Sequence, residues 1–117
     1  MTNDRLVIAA VDGSQRAQDA ALWAADEAKL RGAALRVVEV VPDPDRGDTE
    51  SAVLGYTAQR CRRVQPELSV REEIAHGNAV AELVRRSKEA ELMVLGAHGH
   101  TATRWASVGS VATKLAR

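Results

Sequence analysis

Four residues, Gly96-Ala97-His98-Gly99, follow directly on the apolar run Leu92-Met93-Val94-Leu95, and Gly109-Ser110 comes after nine intervening residues. A strand that leaves a sheet through small residues and re-enters a helix at a glycine is suited to holding an anion. Glycine lets backbone N–H groups approach the ligand closely, and a helix N-terminus adds unpaired donors and a partial positive charge. The chemistry indicated is phosphate binding through main-chain amides. Ser110, with Ser107, can donate to phosphate oxygens or ligate a phosphate-bound metal, and Val111 lies in the first turn of the helix that follows. An ordinary strand-to-helix loop with turn glycines and a capping serine is the alternative, although a connection of about thirteen residues is long for such a unit. No Gly-x4-Gly-Lys-[Ser/Thr] and no Gly-x-Gly-x-x-Gly after the first strand occurs, so neither a phosphate-loop lysine nor a dinucleotide fingerprint is present. The charge of a triphosphate would fall to backbone amides, to Mg²⁺ or Mn²⁺, and to Arg104. His98 and His100, with no cysteine or carboxylate beside them, read as exposed donors flanking the phosphate rather than as metal ligands.

A second chemical landmark is Asp12-Gly13-Ser14, closing the continuous apolar run Leu6 to Val11. That run reads as a strand buried on both faces, followed by a tight turn and a helix cap. Asp12 is either a ligand-binding carboxylate or a turn aspartate feeding the helix.

The elements that must position these residues alternate strand and helix. A helix with alanines at 17, 20, 21, 24 and 28 runs to Gly32, with Trp23 expected to pack. Leu35 to Val41 is a second strand, and Val40 and Val41 end it before Pro42. A second helix is expected from about Glu50 to Val64, with Leu54, Ala58 and Cys61 facing inward and Arg60, Arg62 and Arg63 forming a solvated face. In the third strand Leu68, Val70, Glu72 and Ile74 share one side while Arg71 and Glu73 take the other, which suits a sheet edge. Asn78 caps a third helix, where Arg85, Arg86 and Lys88 suit the C-terminal dipole. Glu91 to Leu95 is a fourth strand, and Gly96 turns the chain as it leaves the sheet. The pattern predicts an α/β fold with a parallel sheet of order 3-2-1-4. Its winding reverses between strands one and four, and ligands bind at the carboxyl ends of strands on either side of such a reversal. The Asp12 turn and the Gly96 loop both open there.

The 117 residues are enough for one domain, and 16 basic against 16 acidic residues leave no net field to favour nucleic acid or an anionic membrane. No apolar stretch reaches the roughly 18–20 residues of a membrane span, and the N-terminus lacks a secretion-signal pattern. One cysteine, Cys61, fits a reducing compartment and reads as a small core residue, so the expected location is cytoplasmic.

Together, Val11-Asp12-Gly13-Ser14, the alanine-rich helix with Trp23, His76-Gly77-Asn78 and the spacing Gly-x2-Gly-x9-Gly-Ser from Gly96 to Ser110 resemble the universal stress protein family over essentially the whole chain. The resemblance implies a flavodoxin-like sheet of order 3-2-1-4-5 and a homodimer or homo-oligomer. It further implies adenine-nucleotide binding, ATP or AMP, in stress tolerance. Asp12 would contact the ribose, backbone groups at Val40 and Val41 would pair with the adenine edge, and Gly96, His98, Gly99, His100, Gly109, Ser110 and Val111 would line the phosphate end, with Gly13 and Ser14 in the first turn. Family members continue into a fifth strand, whereas this sequence stops at Arg117, so the expected sheet is 3-2-1-4 with the usual fifth strand missing and strand four uncovered. The expected role is a nucleotide-dependent regulator, because no residue is a convincing general base. A slow ATPase, an enzyme of the adenine-nucleotide α-hydrolase type and an interaction module with an empty pocket remain the rival readings.

Overall fold

The computed structural model describes residues 5–42 and 51–96. Four strands, β1 (Leu6–Val11), β2 (Ala34–Val41), β3 (Val70–His76) and β4 (Leu92–Leu95), alternate with helices α1 (Gln15–Arg31), α2 (Ala52–Val64) and α3 (Ala79–Ser87). All strand pairs are parallel and the order is β3-β2-β1-β4, as the alternation and the charged third strand predict.

The side-chain alternation of β1 builds two cores. Val7, Ala9 and Val11 join Leu35, Val37 and the α1 and α2 side chains, while Ile8 and Ala10 join Val38, Val40, Met93 and Leu83 of α3. A strand buried on both faces needs an unbroken apolar run, and Leu6 to Val11 supplies one. Helix α1 meets the sheet through Ala17, Ala21, Ala24, Ala25 and Ala28, all fully buried. Because alanines make the contact, Trp23 falls outside it: the indole is 52% exposed, contrary to its expected packing role. Ser14 caps α1 by accepting from the Ala17 N–H at 3.1 Å, and Gly32 ends it in the left-handed conformation at φ 65°.

Two further expectations need correction. Strand β3 begins at Val70 rather than Leu68, because the Leu68 N–H folds back on the Gln65 carbonyl and the ladder opens only at Leu35 N–H to Ser69 O. Arg86 does not merely complement the α3 dipole. Its side chain is 10% exposed and turns onto the sheet, donating to Glu73 at 2.9 and 3.1 Å, to Glu82 Oε1 at 2.6 Å and to the Glu82 carbonyl at 3.2 Å. The hydrogen bond from Arg86 holds the Glu73 carboxyl below the usual range, and those from Arg85 and then Arg86 do the same for Glu82. Arg86→Ala leaves Glu73 facing only Arg36 at 3.7 Å and should cost about 2 kcal/mol in urea unfolding. Arg85→Ala, on the exposed side, should cost less than about 0.5 kcal/mol. Equal losses in the two variants would contradict this account.

Glu91 clamps three elements. Its carboxylate accepts from Arg5 at 2.8 and 2.9 Å and from Arg31 at 3.0 Å, tying the start of β1 and the end of α1 to β4. The hydrogen bonds from Arg5 and then Arg31 hold its pKa down to about 2. A carboxyl whose folded pKa lies below its unfolded value stabilises the fold above the unfolded pKa and loses that contribution as pH falls. The stabilisation should therefore be complete above pH about 5 and decline toward pH 2. Glu91→Gln should flatten that decline in denaturant midpoints taken at stepped pH. A variant whose curve runs parallel to the wild type over this range would remove Glu91 from the acid response.

Candidate functional site

Residues at the carboxyl ends of β1, β2 and β4 come together where the sheet reverses. β1 pairs with β2 on one side and β4 on the other, and α1 and α3 lie on opposite faces. Asp12 follows the last residue of β1. Its Oδ1 accepts from the Ser14 N–H at 2.9 Å, which makes the tight turn into α1. Its Oδ2 is buried and has no hydrogen-bond partner. A buried carboxylate oxygen without a donor is costly, so such atoms concentrate where a ligand or water supplies the missing hydrogen. The two alternatives for Asp12 are therefore compatible, since one oxygen makes the turn and the other is left over.

Gly13 has φ 92°, the region that favours glycine. Space is not the constraint there, because a Cβ would meet Val53 Cγ2 at an ordinary 3.6 Å. At Gly96 the reverse holds. It is not among the positive-φ glycines, but a Cβ would come within 2.6 Å of the Arg16 carbonyl group and the Ala17 nitrogen. Gly96 is thus needed for close approach of the β4 end to the first turn of α1, and the turn expected after it lies outside the described residues. The Ser14 hydroxyl accepts one hydrogen bond in the α1 cap, which leaves its proton and one lone pair for a ligand.

Val40 and Val41 differ in what their backbones address. In a parallel ladder alternate residues serve opposite neighbours. Ala34 N–H donates to Arg5 O and Leu35 N–H to Ser69 O, so even residues of β2 face β1 and odd residues face β3. Val41 O accordingly accepts from the Gly77 N–H at 3.0 Å, behind His76 at the end of β3. The β1 register stops at Val11 opposite Glu39, so the Val40 carbonyl points into the space beyond β1. His98, Gly99, His100, Gly109, Ser110 and Val111 lie outside the described residues.

One residue at this end was missed by sequence reasoning. Glu39 sits between Val38 and Val40, and its Oε1 is buried without a partner. The available signal was an acid interrupting the run Val-Val-Glu-Val-Val, which a count of apolar residues passes over. Cys61 is buried, and burial pushes its thiol up to about 11, leaving it an inert core residue as expected. Arg60 and Arg62 are more committed than a solvated face implies: Arg60 donates to Gln18 and lies over Tyr56, and Arg62 pairs with Glu72. A depression of about 390 Å³ opens on the α3 side, among Arg36, Arg71, Glu73, Arg86 and Glu89. Apart from Arg71, these residues neutralise one another in ion pairs. Among the described residues no helix is long and apolar enough to cross a membrane.

The architecture is thus a parallel α/β sheet that carries two buried, unpartnered carboxylate oxygens, of Asp12 and Glu39, near its switch point. The chain belongs to the universal stress protein family, whose sequence model matches residues 5–117. It is 32% identical over 123 residues to universal stress protein Rv2624c of Mycobacterium tuberculosis, a match that covers 96% of this chain but 44% of that protein. The chain therefore spans under half the length of such relatives. The universal stress protein of Archaeoglobus fulgidus solved in complex with dAMP superimposes with a TM-score of 0.64 and 27% identity, covering 81% of this chain and 82% of that one. A universal stress protein solved in complex with cAMP shares the fold, with a TM-score of 0.60 at 21% identity over 79% of this chain and 71% of that one.

Proposed function

We propose that this chain is an adenine-nucleotide-binding regulator in the stress response, taking AMP or ATP at the carboxyl ends of β1, β2 and β4. The observation that carries the reading is the buried, unpartnered Oδ2 of Asp12 at the switch point, a ready acceptor for a ribose hydroxyl. The Archaeoglobus fulgidus relative, crystallised with dAMP, supports the ligand class. On this reading the Val40 carbonyl and the Val41 region border the base, Gly13 and Ser14 border the sugar, and the segment from Gly96 to Val111 takes the phosphates. Mg²⁺ or Mn²⁺ would arrive with those phosphates. Among the described residues no three His, Cys, Asp or Glu side chains come together to hold an ion alone. Residues 1–117 would form one domain of this kind, cytoplasmic and paired with a second copy.

Titration calorimetry with AMP, ADP and ATP, the last with Mg²⁺, tests the reading. Saturable binding that Gly109→Leu weakens for the triphosphate supports it. Absence of heat with all three assigns the chain instead to a nucleotide-free interaction role. Turnover of ATP well above background would move it among the hydrolases.

A further inference from the structure

We propose that Glu39 reads the base and makes the site selective for a 6-aminopurine over a 6-oxopurine, an inference that rests on the nucleotide reading above. Every other glutamate of the described residues holds an arginine or a lysine: Glu27 and Glu91 with Arg31, Glu67 with Lys29, Glu72 with Arg62, Glu73 and Glu82 with Arg86, Glu89 with Arg36. Glu39 holds none, and its Oε1 is shut away from solvent with no hydrogen bond. A chain this rich in arginine has the means to pair a structural glutamate and does so at each of the others. An unpaired one, placed inside a strand, carries a desolvation penalty that a ligand donor can relieve.

The position suits the base. Glu39 stands opposite Val11, one residue before Asp12, and opposite Ile74 on β3. Strand alternation puts its side chain on the α1 and α2 side of the sheet with Val37. The next residue, Val40, aims its carbonyl past the end of β1. Two acceptors, one side-chain and one main-chain, thus stand at neighbouring positions of one strand end. An exocyclic amino group is their complement, since its two N–H groups serve two acceptors at once. A 6-oxo group offers only lone pairs there and would meet the carboxylate acceptor to acceptor. A site whose buried acceptor demands an N–H discriminates strongly against a ligand that lacks it.

The test is the ratio of dissociation constants for AMP and IMP, measured by calorimetry on the full chain. Wild type should favour AMP by about 10- to 100-fold. Glu39→Gln keeps shape but can turn an amide N–H toward the oxo group, and should bring the ratio to within about threefold. Glu39→Leu should weaken AMP and tighten IMP by relieving the clash of acceptors, while the nucleotide-free variant melts no lower than wild type because an unpaired acid with a buried oxygen has been removed. A wild type that binds both nucleotides equally, or a Gln variant that binds both with the ratio intact, overturns the assignment and spares the nucleotide reading. A Leu variant that melts lower with an unaltered ratio makes Glu39 a structural residue. A wild type that binds neither nucleotide overturns both proposals.

Discussion

Gly96→Ala should cost about 2 kcal/mol and lower the melting temperature by roughly 5–10 °C. The added methyl would sit 2.6 Å from the Arg16 carbon and oxygen and from the Ala17 nitrogen. All three are backbone atoms in the first turn of a capped helix, so no flexible side chain can move aside. The helix must lift from the end of β4 or the strand must withdraw. Either response widens the crevice between them, so nucleotide affinity should fall with stability. Gly55→Ala is the matched control. Its Cβ would meet only Glu72 Oε1 at 3.9 Å, inside the regular helix α2. There alanine is the better helix former and should leave stability unchanged or raise it by about 0.5–1 kcal/mol. Thermal unfolding of both variants decides the matter. If Gly96→Ala melts within a degree of wild type, the close contact between α1 and β4 is not rigid.

Asp12→Asn should weaken AMP by about 10- to 100-fold while leaving the free protein at least as stable as before. The two oxygens of Asp12 have separate tasks. Oδ1 accepts from the Ser14 N–H, and an asparagine carbonyl preserves that bond and the turn. Oδ2 is buried without a donor, and its replacement by an amide removes both the buried charge and the acceptor offered to the ligand. Loss of affinity without loss of stability separates a binding role from a structural one. Calorimetry and thermal melting on the same preparation give both numbers. If the Asp12→Asn variant binds AMP as wild type does, the ribose contact lies elsewhere; if it melts much lower, the carboxylate is part of the fold.

Large parts of this architecture were legible in one dimension because each rests on a local rule. Leu6 to Val11 is apolar without interruption, so it is buried on both faces and central. Arg71 and Glu73 opposing Val70 and Ile74 mark a strand with a polar side, hence an edge. With right-handed crossovers these two facts leave little besides the order 3-2-1-4. Asp12-Gly13-Ser14 announces a turn and a cap through residue chemistry that acts over two or three positions, and the hydrogen bonds of Asp12 and Ser14 are of that kind.

Other features required the folded chain. Trp23 has the size of a packing residue, but alanines make the helix contact and turn it outward. Arg86 resembles its neighbours Arg85 and Lys88, yet one step of 100° around α3 carries it onto Glu73, thirteen positions away in sequence. Gly96 has a second reason to be glycine that no local pattern shows, since its neighbour in space is the first turn of α1, far earlier in the chain.

Residue types and their spacing were sufficient for the class of fold, the strand order, and the turn that Asp12 makes at the end of β1. These depend on interactions between near neighbours and on the handedness of the chain. The tertiary structure alone decided which buried side-chain oxygens of the described residues went unpaired, namely Asp12 Oδ2 and Glu39 Oε1, and which glycine is held by contact rather than by conformation. Burial and pairing are properties of what surrounds an atom, and those surroundings are assembled from segments far apart along the chain.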